Sequence, residues 1–256
     1  MEAPKCGVLM LISAAQLKFF WGVSPKGLLH VGAHKAEELH SYSKAGWLKE
    51  TGVIWVEAQP VLAEQLKNSL DLRNSRVINA VVWDKDGVAL TLKITSNSQS
   101  TSLLDLGTHA KTYPSIFVEK ELQVTTQRLD SLLKTDDKFD FVNLDIQGTE
   151  LQALIGLGSR IDDVHWIYTE CNSVEVYKGC TLVKDLDEFL YPLGFRRTAT
   201  KWVRGAGWGD CLYVRNSKKS TYILPTLLWK LYTNLLFLVL LPKRVSGWLL
   251  AKLDFS

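Results

Sequence analysis

Asp140-Phe-Val-Asn-Leu-Asp145-Ile-Gln-Gly148-Thr-Glu150 reads as a buried strand that carries a carboxylate to its own carboxyl end and then turns on a glycine into a helix. In open α/β sheets, ligands sit outside that end of the strands. Two further stretches have the same form, His30-Val-Gly32-Ala-His34 before it and Tyr168-Thr-Glu170-Cys-Asn172 after it. Together they point to an enzyme that handles a small cofactor.

Outward from this stretch, the chain alternates short apolar runs with helical periods from Gly27 to about Arg215, the signature of a largely parallel sheet. Gly27 to Val31 and Val53 to Glu57 are expected strands, with helices at Ala36 to Ala45 and from Pro60 to about Leu70. Pro60 is suited to a first helical turn, where its missing N–H costs nothing. Arg76 to Trp83 is a third expected strand, and Asp84-Lys-Asp-Gly87 reads as a hairpin turn into Val88 to Ile94. A polar loop, Thr95 to Ser102, leads to a strand at Glu121 to Thr125 and a short helix at Arg128 to Leu133. Phe139 to Asp145 and Val164 to Cys171 are the most apolar strands and so the central ones. A helix at Thr181 to Tyr191 precedes a long hairpin, Phe195 to Val203 with Cys211 to Arg215.

The chain has 256 residues and a formal charge of +3, with 46% hydrophobic and 22% charged residues. That is one domain of generous size, or one domain and an appendage. The small charge and the absence of a basic-aromatic stripe argue against a nucleic-acid partner. Cys6, Cys171, Cys180 and Cys211 lack metal-ligand spacing, as do the histidines, so no metal site is expected. Reduced thiols fit a cytoplasmic location. Gly7 to Trp21 is apolar, but it continues as an amphipathic helix without a small-residue cleavage site. It reads as a helix packed across the domain rather than a signal sequence.

At the first strand-helix junction, Gly32 lets a ligand approach the backbone, and the helix N-terminus offers free N–H groups. The further glycines that a pyrophosphate would need are missing. Glu57 ends the second strand, where a carboxylate can accept hydrogen bonds from two ribose hydroxyls. A glycine turn with a terminal acid serves NAD and S-adenosylmethionine alike, and a tight turn with a solvated acid would look the same. Asp145 and Glu170, at matching ends of neighbouring strands, are candidates for a base, since adjacent carboxylates raise the pKa of one of them. Either can equally be a helix cap. Ser100 and Thr101 can close over a cofactor from their loop, and Tyr177 and Trp208 can wall an acceptor pocket or belong to the core.

The chain resembles the FkbM-type S-adenosylmethionine-dependent methyltransferases over roughly Gly27 to Arg215. The resembling segments are His30-Val-Gly-Ala-His34, Val56-Glu-Ala-Gln-Pro60, Asn79-Ala-Val-Val82, Ser100-Thr-Ser-Leu103, Leu129-Asp-Ser-Leu132, Val142-Asn-Leu-Asp-Ile-Gln-Gly148, Thr169-Glu170, Tyr177-Lys-Gly179 and Gly207-Trp-Gly-Asp210. The resemblance implies an α/β fold of the Rossmann-like class I methyltransferase type, a mostly parallel seven-stranded sheet with an antiparallel last strand. It implies S-adenosyl-L-methionine as cofactor, contacted by His30, Gly32, Ala33, His34, Glu57, Ala80, Ser100 and Thr101. Asp145 and Glu170 would be catalytic, and Tyr177 and Trp208 would bind a small-molecule or glycan acceptor, O-methylated at a hydroxyl. His30 stands where many relatives have an acid, and Ala36 where many have a second glycine. The alternatives are an NAD-dependent oxidoreductase and a non-catalytic, cofactor-binding interaction module.

These readings divide the chain into an N-terminal helical cap (1–26), the methyltransferase domain (27–216) and an apolar helical tail (217–256). Within the tail, Tyr222 to Leu241 is long enough as a helix, at about 1.5 Å per residue, to cross a hydrocarbon core of about 30 Å. However, Thr226, Lys230, Thr233 and Asn234 share one helical face. Lys218, Lys219, Lys243 and Arg244 bracket the run. A membrane surface met through residues 222–255 is therefore expected, with spanning the bilayer or docking on the domain as alternatives.

Overall fold

The computed structural model describes residues 10–48, 52–70, 75–215 and 223–233. Helix α1 (Ala14–Trp21) opens the described chain, capped by Ser13 and Gln16 in a reciprocal capping box. Strand β1 (Leu28–Val31), helix α2 (Leu39–Ala45), strand β2 (Val53–Glu57), helix α3 (Pro60–Ser69) and strand β3 (Ser75–Asn79) follow. Then come β4 (Val81–Val82), β5 (Ala89–Thr95), α4 (His109–Thr112), β6 (Val118–Gln127) and α5 (Leu129–Leu132). The last part holds β7 (Phe141–Leu144), α6 (Glu150–Gly156), β8 (Trp166–Asn172), α7 (Val183–Leu190), β9 (Phe195–Trp202) and β10 (Trp208–Arg215).

Seven strands form the main sheet in the order β3-β2-β1-β7-β8-β10-β9. All pairings from β3 to β8 are parallel, and β10 runs antiparallel to both of its neighbours. Every residue of β1, β2 and β7 is buried, as expected for parallel strands with helices on both faces. Successive residues alternate between two cores. Leu29, Val56, Val142 and Ile167 pack with α5, α6 and α7 on one face, while Leu28, Trp55, Phe141 and Tyr168 pack with α1, α2 and α3 on the other. The strand order reverses between β1 and β7, which makes their carboxyl ends the switch point where α/β sheets bind ligands.

One stretch departs from the sequence reading. Arg76 to Trp83 is not a single strand: it breaks at Ala80, whose N–H donates to the Glu57 carbonyl (3.1 Å). Beyond the break, β4 leaves the main sheet and joins a second one of order β4-β6-β5. Asp84 to Gly87 is therefore not a β4–β5 hairpin, because β6 lies between those two strands. The turn wraps Thr126 instead, whose hydroxyl donates to the Lys85 carbonyl (2.7 Å) while its own carbonyl accepts from Gly87 (2.9 Å).

Of the tail, residues 223–233 are helical and dock on α1. Trp229, 3% exposed, lies 5.4 Å from both Phe20 and Trp21, ring centre to ring centre. No helix among the described residues is long and apolar enough to cross a membrane. Cys6, the runs Leu235 to Leu241 and Val245 to Phe255, and their bracketing basic residues lie outside the described residues.

Candidate active site

The carboxyl ends of β1, β2, β7, β8 and the start of β10 open into a cavity of about 510 Å³, within the usual range for small-molecule sites. Gly32, His34, Glu57, Ala80, Ser100, Thr101, Asp145, Glu170, Tyr177 and Trp208 all line it. Two expected contacts do not. His30 is buried behind the wall, its Nδ1 3.1 Å from the Tyr42 hydroxyl, and burial lowers its pKa to about 3, so it is neutral. Ala33 is packed into the core beneath the loop. Side chains alternate along β1, so His30 turns toward Tyr42 and Trp55 on the α1–α2 face while its neighbour Val31 reaches the cavity.

The β1–α2 loop is held on both sides. Gly32 has φ +87°, and a Cβ there would stand 1.8 Å from the Asp145 carbonyl oxygen, so only glycine lets the ends of β1 and β7 meet. The non-glycine residues with positive φ in the described backbone are His34, Ala36 and Gln147, all in the two loops at the switch point. Ala36, at φ +54°, adopts the conformation that glycine takes without cost. His34 donates its backbone N–H to Glu57 Oε2 (2.7 Å), and its ring meets Glu37 Oε1 (2.7 Å) and Ser98 Oγ (2.8 Å). Gln59 N–H donates to the other Glu57 oxygen (2.8 Å). Each oxygen keeps a second lone pair, as a ribose diol requires.

Gln147 ties the β7 and β8 ends together. Its Nε2 donates to Asp145 Oδ1 (2.6 Å) and Glu170 Oε2 (2.9 Å), and the Tyr177 hydroxyl donates to its Oε1 (2.5 Å). Burial raises the pKa of both Asp145 and Glu170, and the Asp145 charge raises Glu170 further. A buried carboxyl pair of this kind holds one proton ready to exchange. Ser100 and Thr101 arrive from the loop after β5, so the small sheet carries them to the cavity. Thr101 Oγ1 is buried with no hydrogen-bond partner.

Several lining residues had no site role in the sequence reading. Asp210, the end of the Gly207-Trp-Gly-Asp210 segment, sits opposite Glu170 in the β8–β10 register, and its Oδ2 accepts from Leu11 N–H (2.8 Å) and from the Tyr168 hydroxyl. Met10 and Leu11 thus close one wall, and burial raises the pKa of Asp210 to about 7. Glu38 is raised to about 8, by burial first and then by Asp145. His109, which lines the cavity with its ring 5.3 Å from Tyr177, keeps a buried Nδ1 without a partner.

Residues 30–197 match the family described as the methyltransferase FkbM domain. The chain belongs to that family. Among solved structures it is similar to an FkbM methyltransferase from Methylobacillus flagellatus KT, at 14% identity and a TM-score of 0.48, over 79% of this chain and 48% of that one. It is also similar to a protein of the NADB-Rossmann superfamily from Streptococcus agalactiae, at 14% identity and a TM-score of 0.47, over 82% and 71% of the two chains. A third is a precorrin-6y C5,15-methyltransferase from Geobacter metallireducens GS-15, at 11% identity and a TM-score of 0.46, over 84% and 93%. The chain thus spans about half the length of the first of these. No functionally curated protein matches it. The cofactor of the FkbM domain is S-adenosylmethionine, and the residues here fit it. Glu57 offers its lone pairs at the end of β2, Thr101 an unused hydroxyl, and the carboxylates a counter-field for a sulfonium.

Proposed function

We propose that this protein transfers a methyl group from S-adenosylmethionine to a hydroxyl of a glycan or similar small metabolite. The observation that carries the reading is the Asp145–Gln147–Glu170 cluster at the switch point, beside the loop anchored on Glu57. When bound, the sulfonium supplies a methyl carbon open to in-line attack. Glu57, with Ser100 and Thr101, binds the nucleoside part, and Gly32 lets the chain run close beneath it. Asp145 accepts the acceptor hydroxyl proton, so that the oxygen could take the methyl group which the bound donor would give up in leaving as a neutral thioether. Glu170 shares the Asp145 proton load, and Gln147 holds both carboxyls in place. Tyr177 and Trp208 wall the acceptor. NAD-dependent hydride transfer would need a pyrophosphate seat in the β1–α2 loop, where His34 now stands. Incubating purified protein with methyl-labelled donor and a cell extract should label a small hydroxyl-bearing product. Label recovered only in solvent or on nitrogen would overturn the hydroxyl assignment.

A lipid surface is the second partner in this reading. Leu224, Leu227, Leu228 and Leu231 are exposed along residues 223–233, and Phe19 of α1, the helix on which they dock, is 82% exposed. Apolar side chains grouped in this way mark an interaction face. Lys18 and Lys230 edge it, and Lys218, Lys219, Lys243 and Arg244 flank it along the sequence, which matches anionic headgroups.

A further inference from the structure

The charge of the cavity says more about the acceptor than the fold does. Among the described residues six carboxylates line it, Glu37, Glu38, Glu57, Asp145, Glu170 and Asp210, and no lysine or arginine does. His34 pairs with Glu37, Glu57 is held by backbone N–H groups, and the bound cofactor brings a net single positive charge. That leaves Glu38, 3.9 Å from the His30 ring, and a row of three across adjacent strands. Asp145 directly follows β7, Glu170 lies on β8 within hydrogen-bonding reach of Asp145, and Asp210 on β10 stands between Glu170 on β8 and Lys201 on β9 in the strand register, the Lys201 ammonium being held by the Leu11 carbonyl at the rim. Like charges placed directly opposite each other in a sheet are destabilising, and all three of these side chains are in the cavity wall. An aromatic wall of Tyr168, Tyr177 and Trp208 faces the same space. Nearby, His109, 6% exposed, has a ring nitrogen that no group in the protein satisfies.

Resting on the methyltransferase reading, we infer that the acceptor is an amino alcohol or amino sugar, whose protonated amine seats between Glu170 and Asp210 while its hydroxyl meets Asp145. Carboxylates and aromatic faces together recognise an ammonium group. The same wall offers a phosphate or carboxylate no lysine or arginine among the described residues, so sugar phosphates and acidic glycans are excluded as acceptors. His109 accepts one N–H of the amine at its unpartnered nitrogen.

The probes are glucosamine, glucose and glucose 6-phosphate, with 2-aminoethanol, ethylene glycol and glycolate as a second matched set. Each is titrated into the protein saturated with S-adenosylhomocysteine. In both sets the amine should bind at least about tenfold more tightly than its neutral counterpart, with the anion weakest. Asp210→Asn should narrow the amine preference while leaving affinity for S-adenosylhomocysteine unchanged. Should that variant fail to fold, the comparison of probes on the native protein decides alone. Neutral or anionic probes binding as well as the amines, or no amine binding better than its neutral counterpart, would overturn the inference. Failure of S-adenosylhomocysteine itself to bind would instead remove the methyltransferase reading on which it rests.

Discussion

Asp145 carries the heaviest chemical assignment of any single residue. Replacing it with asparagine keeps the shape and the contact with Gln147 but removes the proton acceptor. Turnover should fall about 10²–10⁴-fold with little change in cofactor affinity; normal turnover in Asp145→Asn would remove the role. The buried carboxyls also set a pH dependence for folding. Asp210 and Glu38 keep their protons to about 7 and about 8 because burial disfavours the ionised forms. Unfolded, they would release them near 3.9 and 4.3. The folded chain therefore binds more protons than the unfolded one across that interval, and stability falls as pH rises through it. His30, held near 3, works in the other direction, but only below about pH 6.5. From about pH 6.5 to 8 only the carboxyl side operates, so the Tm of the cofactor-free protein should fall by several degrees. Asp210→Asn should flatten that slope, and a Tm that rises across the window would contradict the burial argument. Asp145, Glu170 and Glu57 were legible in the sequence because each directly follows or ends an apolar run. Glu38 and His109 were not, and Asp210 was legible only as part of the Gly207-Trp-Gly-Asp210 segment, since their place in the cavity depends on loop geometry and on strand register.

The β1–α2 loop shows the same division among the elements. Gly32 was read as the place where a ligand approaches the backbone, and Ala36 stood out as a missing glycine; in the structure it is the Asp145 carbonyl that abuts Gly32, and Ala36 has a left-handed backbone. Gly32→Ala should destabilise the protein by about 2–6 kcal/mol, combining overpacking with strain at positive φ. Denaturant unfolding checks this, and a variant as stable as the parent would mean that β1 and β7 do not meet at that carbonyl. The small sheet was the least legible element. Arg76 to Trp83 has continuous strand character, and nothing in its local pattern reveals that Ala80 turns back to the Glu57 carbonyl. The pairing of β4 with β6 joins residues far apart in sequence, which no local signal reports. The central strands were legible because parallel strands buried on both faces form apolar runs, and the family resemblance supplied the seven-stranded sheet with its antiparallel last strand; the strand order was not legible, since no local signal reports which runs pair.

At the scale of the whole molecule, the tail both docks and leaves an apolar face exposed. Trp229 inserts against Phe20 and Trp21, so residues 223–233 and α1 present one surface. The full chain should float with vesicles of phosphatidylcholine and phosphatidylserine, and less with phosphatidylcholine alone. Replacing Phe19, Leu227 and Leu231 with serine should release it without unfolding the domain, because all three side chains are exposed. Recovery of the full chain as a stable dimer that ignores vesicles would assign that face to a second copy instead. The site and the fold meet in a single claim, that the switch-point cavity is built for a sulfonium nucleoside rather than a dinucleotide. Isothermal titration of the purified protein with S-adenosylhomocysteine and, separately, with NADH tests it most directly. Saturable one-to-one binding of S-adenosylhomocysteine and none of NADH is the expected result; binding of NADH without S-adenosylhomocysteine would contradict it.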